Sequence, residues 1–137
     1  METTGRFAPS PSGRLHLGNL LCALLVWLSA RQKGGRVLLR VEDLDTARCP
    51  RRYAAQMEAD LRWLGLDWDI GPGKEAGTGP YYQSERTAIY QAALEKLQGM
   101  GLVYPCFCTR AELHAASAPH READQVVYAG TCRRLTA

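Results

Sequence analysis

Between Gly18 and Lys33 apolar residues crowd almost without interruption, with Leu20, Leu21, Leu24, Leu25, Trp27 and Leu28 among them. A helix apolar on most of its faces is expected to lie buried against a sheet, and Gly34-Gly35 is placed to end it. Ahead of this helix, Gly5 to Ser10 reads as a short strand, closed by Pro9 and Pro11, which cannot donate to an interior ladder. Behind it, Arg36-Val37-Leu38-Leu39-Arg40-Val41 is a β-rich run of strand length. Strand, helix and strand in that order make a βαβ unit and imply a parallel sheet. Pro50 opens a second helix to about Leu64, where Tyr53, Met57, Leu61 and Leu64 share one face. A glycine- and proline-rich loop follows from Ile70 to Pro80. A third helix spans Glu85 to Met100, with Tyr90, Leu94 and Leu97 on one stripe and Gly101 beyond its end. Val103-Tyr104 reads as another strand, and the tail from Thr109 to Ala137 as a short helix and a polar loop. There are no internal repeats.

Composition narrows this α/β picture. The chain has 137 residues, enough for one domain with a real core but not for an active site plus a separate recognition domain. With 46% hydrophobic and 23% charged residues it is an ordinary soluble globular sequence. A net charge of +3 permits contact with nucleic acid without arguing for it. Lysine occurs only at Lys33, Lys74 and Lys96, so most positive charge is arginine. Arginine suits carboxylate and phosphate recognition, although a GC-rich coding bias gives the same skew. No secretory leader is visible, and the longest apolar run, Leu20 to Leu28, is too short to span a bilayer. An odd set of five cysteines without export features points to a reduced, cytoplasmic setting.

Two strand ends carry the candidate chemistry. The first strand leads through Arg6-Phe7-Ala8-Pro9-Ser10-Pro11-Ser12-Gly13 to His16-Leu17-Gly18-Asn19 at the mouth of the apolar helix. A βα turn offers backbone N–H groups and the positive helix end to phosphates. Gly18 lets a nucleotide approach the backbone, and His16 supplies a donor where charge develops on phosphate. By itself, a histidine before a buried helix is more often a plain loop residue. The second strand ends in Glu42-Asp43-Leu44-Asp45, where open α/β sheets place ligands. Glu42 can pair with the amino group of an amino acid while Arg6 and Ser10 hold a carboxylate. An acidic pair can instead bind Mg²⁺, or Asp45 can cap a turn before Thr46; Asp43 and Asp45 are assigned to structure.

The whole string from Arg6 to Asn19 resembles the ATP motif of class I aminoacyl-tRNA synthetases as the glutamyl branch writes it. Leu61 to Asp69 and Tyr81 to Arg86 are similar to further stretches of that family, in the right order. The resemblance implies a Rossmann-like parallel sheet with flanking helices, of HUP type, over residues 1–104. It implies His16, Gly18 and Asn19 in the catalytic motif. It further implies ATP, with Mg²⁺, against Pro9, Ser10, His16, Gly18 and Asn19, and L-glutamate against Arg6, Phe7, Ala8, Pro9, Ser10 and Glu42. Asn19 stands where class I enzymes often have histidine, a position at which glutamyl members vary. No Lys-rich loop resembling the family's second ATP motif is present, so the match covers the N-terminal half of such a catalytic domain. The chain alone is therefore expected to be inactive; a non-catalytic nucleotide- or tRNA-binding remnant is the other reading. Trp63 and Trp68 are expected to be core and loop-packing residues.

Cysteines form the second constellation: Cys106 and Cys108, then Cys132. Zinc takes four soft or borderline ligands in a tetrahedron, and chemistry alone ranks His114 and His120 ahead of Tyr128 for the fourth. Reduced cysteines without metal are the plain alternative. The stretch from Tyr128 to Arg133 resembles the zinc loop of one branch of the family, the glutamyl-queuosine tRNA(Asp) synthetases, which lack an anticodon-binding domain. That resemblance implies a structural zinc on Cys106, Cys108, Tyr128 and Cys132 within an insertion over 105–137. It also implies glutamyl transfer to queuosine in the anticodon stem-loop of tRNA(Asp) by a monomer. The run after Gly18 and Leu44 fit this branch better than the discriminating glutamyl-tRNA synthetases. His120 remains open as fourth ligand because the spacer to Tyr128 is long. Cys22 is expected in the core, and Cys49 in a loop without a partner.

Overall fold

The computed structural model describes residues 3–74, 76–117, 128 and 130–135, with the backbone alone for 114–117. Its elements in chain order are β1 (Thr4–Phe7), α1 (Leu17–Arg31), β2 (Arg36–Leu39), α2 (Arg51–Trp63), α3 (Thr87–Gly99) and α4 (Arg110–Ser117). Short 3₁₀ turns cover Gln83–Arg86 and Thr131–Arg134. The chain divides into two compact units, Met1–Tyr90 and Gln91–Ala137.

In the first unit β1 and β2 pair in parallel, Thr4 opposite Arg36 and Phe7 opposite Leu39. Hydrogen bonding continues past both strand ends, with Arg40 N donating to Phe7 O at 3.0 Å and Glu42 N to Pro9 O at 2.9 Å. The free side of β2 is covered in two steps. Leu39 N donates to Ile70 O at 2.8 Å, and Val41 N to Tyr81 O at 2.9 Å. The glycine-rich segment between Ile70 and Tyr81 is thus a loop that leaves the sheet and rejoins it. Leu39, Val41, Ala54, Met57, Leu61 and Trp68 form the core between the sheet and α2. Gly5 sets the distance of α1, because a Cβ there would stand 3.1 Å from both Ala30 Cβ and Val26 Cγ1.

Several expectations are corrected. Helix α1 buries only Ala23 and Ala30, while Leu17, Leu21, Leu24, Leu25 and Leu28 are exposed. A helix of this pitch presents one stripe to a two-stranded sheet, and Cys22 lies off that stripe, exposed. Trp63 is 86% exposed because the inward face of α2 runs Ala54, Met57, Glu58, Leu61; Trp68 is buried as expected. Val103 and Tyr104 form no strand, since neither meets a ladder partner among the described residues. No helix among the described residues is long and apolar enough to cross a membrane.

Candidate functional site

The mouth of α1 is organised by His16. It is the N-cap residue, extended at φ −89° and ψ 166°. Its Nδ1 accepts from Gly18 N at 3.1 Å, and Asn19 Oδ1 accepts from His16 N at 3.4 Å. This reciprocal box satisfies two of the donors that a helix start leaves unpaired. Because Nδ1 is an acceptor, the imidazole proton sits on Nε2, a donor left over for a ligand. A Cβ on Gly18 would stand 3.0 Å from His16 Cε1 and 3.1 Å from Nδ1, so this glycine makes room for the ring.

At the carboxyl ends of β1 and β2 lies a cavity of about 320 Å³, lined by Ser10, Ser12, Glu42, Leu44, Asp45, Arg48, Cys49 and Gln83. Ser10 and Glu42 therefore meet at one site. Arg6, Phe7, Ala8 and Pro9 do not line it: Arg6 is exposed on β1, Phe7 packs toward the core, and Pro9 contributes its carbonyl to Glu42 N. Asp43 is spent on structure, its two oxygens taking Ser84 N at 2.9 Å and Ser84 Oγ at 2.7 Å. Asp45 Oδ1 accepts from Arg48 N at 3.1 Å, the turn cap expected of it. Burial, with Asp45 adding to it, pushes the Cys49 thiol up, which favours its protonated form.

Two side-chain networks of the first unit went unread in the sequence, one at Tyr82, next to Gln83 of the cavity, and one at the start of β2, the opposite strand end. Glu58, buried on α2, accepts from Tyr82 Oη. Burial first, then this bond, pushes the Tyr82 hydroxyl up to about 12. Arg51 stacks over the Tyr82 ring and pairs with Glu85 at 2.9 Å. Arg31 at the end of α1 donates to Asp69 Oδ2 at 2.7 Å and to Asp67 Oδ1 at 3.1 Å, and Trp27 Nε1 donates to Asp67 Oδ1 at 2.8 Å. Asp69 Oδ2 also takes Val37 N at 2.7 Å, which ties α1 to the start of β2. The signal for these was present as two acids flanking Trp68, with Arg31 one helix earlier, but pairing across such separations is invisible to local pattern.

In the second unit the Sγ atoms of Cys106, Cys108 and Cys132 all lie within 4.8 Å of one another. Cys108 and Cys132 approach to 3.5 Å, and Tyr128 Oη accepts from Cys132 N at 3.2 Å. Tyr128 Oη also bonds Tyr104 and Cys106, and the Tyr104 bond leads in pushing its hydroxyl up. The bond to Cys132 pushes the Cys108 thiol up to about 12, whereas the Phe107 N–H holds Cys132 below the usual thiol range. Tetrahedral zinc with Zn–S bonds of about 2.3 Å needs sulfurs about 3.8 Å apart. The three thiols, one pair at 3.5 Å and all within 4.8 Å, bracket that separation, and the Tyr128 phenol is tied to the same cluster through Cys132 N and Cys106. His120, the alternative fourth ligand, lies outside the described residues, as does the side chain of His114.

Against known proteins, residues 2–137 match the family described as tRNA synthetases class I (E and Q), catalytic domain. A protein of Symbiobacterium thermophilum named glutamyl-Q tRNA(Asp) synthetase is 59% identical over 96% of this chain and 42% of its own length. A glutamate–tRNA ligase 2 of Alkalilimnicola ehrlichii is 51% identical over 96% of this chain and 28% of its own. Among solved structures, a glutamate tRNA ligase from Elizabethkingia meningosepticum in complex with its amino acid superposes with a TM-score of 0.72. It is 37% identical over 87% of this chain and 24% of that one. The chain thus spans less than half the length of these relatives.

Proposed function

The chain belongs to the family of class I tRNA synthetase (E and Q) catalytic domains, and from that premise we propose that it supplies the glutamate- and ATP-binding half of a glutamyl-queuosine tRNA(Asp) synthetase. The reading is carried by Glu42 and Ser10 in one cavity at the carboxyl ends of parallel strands, with the cap of the helix that follows β1 leaving His16 Nε2–H free to donate. In this reading the Glu42 carboxylate holds the ammonium of L-glutamate, and Ser10 with Arg6 takes a carboxylate, Arg6 from the exposed face of β1. The glutamate α-carboxylate attacks the α-phosphorus of ATP, pyrophosphate leaves, and glutamyl-adenylate forms. Mg²⁺ arrives with ATP and neutralises its phosphates. His16 Nε2 and the N–H groups at the start of α1 meet the charge that grows on the α-phosphate, so the protein contributes positioning and electrostatics. Phe7, Ala8, Pro9, Gly18 and Asn19 shape this corner through the backbone and the cap. An acceptor hydroxyl of queuosine in tRNA(Asp) then attacks the carbonyl carbon and releases AMP.

The second unit favours the queuosine branch over a glutamate–tRNA ligase, because Cys106, Cys108, Cys132 and Tyr128 fit its zinc set. Bound there, zinc would crosslink the segment without chemistry of its own. The test uses the Symbiobacterium thermophilum relative with its matching segment replaced by this chain. Glutamylation of tRNA(Asp) carrying queuosine, and none of tRNA(Asp) lacking it, is the expected outcome. Charging that ignores queuosine would move the chain to the glutamate–tRNA ligase branch.

A further inference from the structure

Arg40 and Tyr90 belong to none of the motifs that point to the site, yet they stand directly behind its carboxylate. Arg40 and Glu42 are two residues apart at the end of β2, so their side chains leave from one face; Val41 between them is fully buried. Arg40 Nη2 donates to Tyr90 Oη at 2.9 Å. Arg40 Nε is buried without a hydrogen-bond partner among the described residues, and Glu42 Oε1 lies 3.8 Å from it. Tyr90 is held in turn, with the Arg86 guanidinium 5.9 Å from its ring centre. A buried charged donor without an acceptor is costly. A shift of about 1 Å in Glu42 would give this one a charge-assisted bond of ordinary length.

We infer that Arg40, fixed by Tyr90, is the positioning residue of Glu42, taking one carboxylate oxygen and leaving the other for the ammonium of an amino-acid ligand. This rests on the amino-acid reading of the cavity. Arginine suits the role because its planar fork can hold Tyr90 with one nitrogen and Glu42 with another.

Calorimetric titration of the chain with L-glutamate, and with glutarate, which lacks the ammonium, tests it on the wild type, Tyr90→Phe and Arg40→Met. Tyr90→Phe is expected to weaken L-glutamate about tenfold and Arg40→Met by more, while glutarate binding stays unchanged, so the preference for glutamate collapses. Variants that keep the wild-type preference, or that weaken both ligands in proportion as a merely structural role would, overturn the inference alone. A wild type without preference for glutamate over glutarate overturns the amino-acid site and the inference together. Tyr90→Phe removes one oxygen and keeps the ring beneath Arg86, so it decides the matter should Arg40→Met fail to fold.

Discussion

His16 uses its two ring nitrogens differently, one to cap α1 and the other to face outward, and a substitution can separate the two roles. Asn is as good an N-cap as helices use, but it does not place a ring N–H where Nε2 stands. In the chimera described above, His16→Asn should leave the melting temperature nearly unchanged while lowering glutamate-dependent ATP–pyrophosphate exchange about 10²- to 10³-fold, the usual loss of one transition-state donor. Equal losses of stability and exchange would reduce His16 to a cap. Tyr82 sets a pH limit. Its pKa rises from 10.0 in the unfolded chain to about 12 in the fold, so unfolded molecules lose the proton first. Its contribution to stability is whole below pH 10 and drains away up to about pH 12. Urea unfolding in that range should show midpoints falling with pH, and Tyr82→Phe should flatten the slope.

Among the elements, β1, α1, β2, α2 and α3 were legible because apolar spacing reports which face a segment buries. Which neighbours exist to cover that face is a property of pairing at long range. That is why α1 bares five leucines, and why Trp63 points outward while charged Glu58 turns in to meet Tyr82. Of the candidate site, Ser10, His16 and Glu42 stood out one by one from their motifs; the bonds of Arg40 to Tyr90 and of Asp43 to Ser84 did not, because each joins residues more than forty positions apart. The clamp of Asp67 and Asp69 on Arg31, Trp27 and Val37 gives an element-level prediction. The Trp27 N–H leads in holding Asp67 below the usual carboxylate range; for Asp69, burial pushes up but Val37 N–H and Arg31 outweigh it. Their stabilisation is therefore present above pH 3.8, the unfolded value, and is lost as pH falls through the lower folded values. Asp69→Asn should lower stability at pH 7 by about 2 kcal/mol, with a smaller effect in acid, read by chemical denaturation. In the second unit zinc must displace thiol protons, so its affinity should rise with pH. Cys132→Ser should abolish the one equivalent of zinc expected by metal analysis, and Tyr128→Phe should weaken it; full zinc retention in both would reject this ligand set.

Across the whole molecule, a parallel strand pair ends in a cavity holding Ser10 and Glu42, the helix between the two strands starts on the His16 cap, and a cysteine cluster is built in the second unit. The chain covers 42% of the Symbiobacterium thermophilum relative, so the chimera is where its chemistry is read. The most direct measurement is ATP–pyrophosphate exchange by that chimera, with wild-type residues and with Glu42→Gln. Exchange that requires L-glutamate, with the glutamate KM raised about 100-fold by Glu42→Gln as a lost charge-assisted contact demands, is the result predicted. Exchange indifferent to Glu42→Gln, or none with the wild-type residues, would contradict a glutamate-activating site at the ends of β1 and β2.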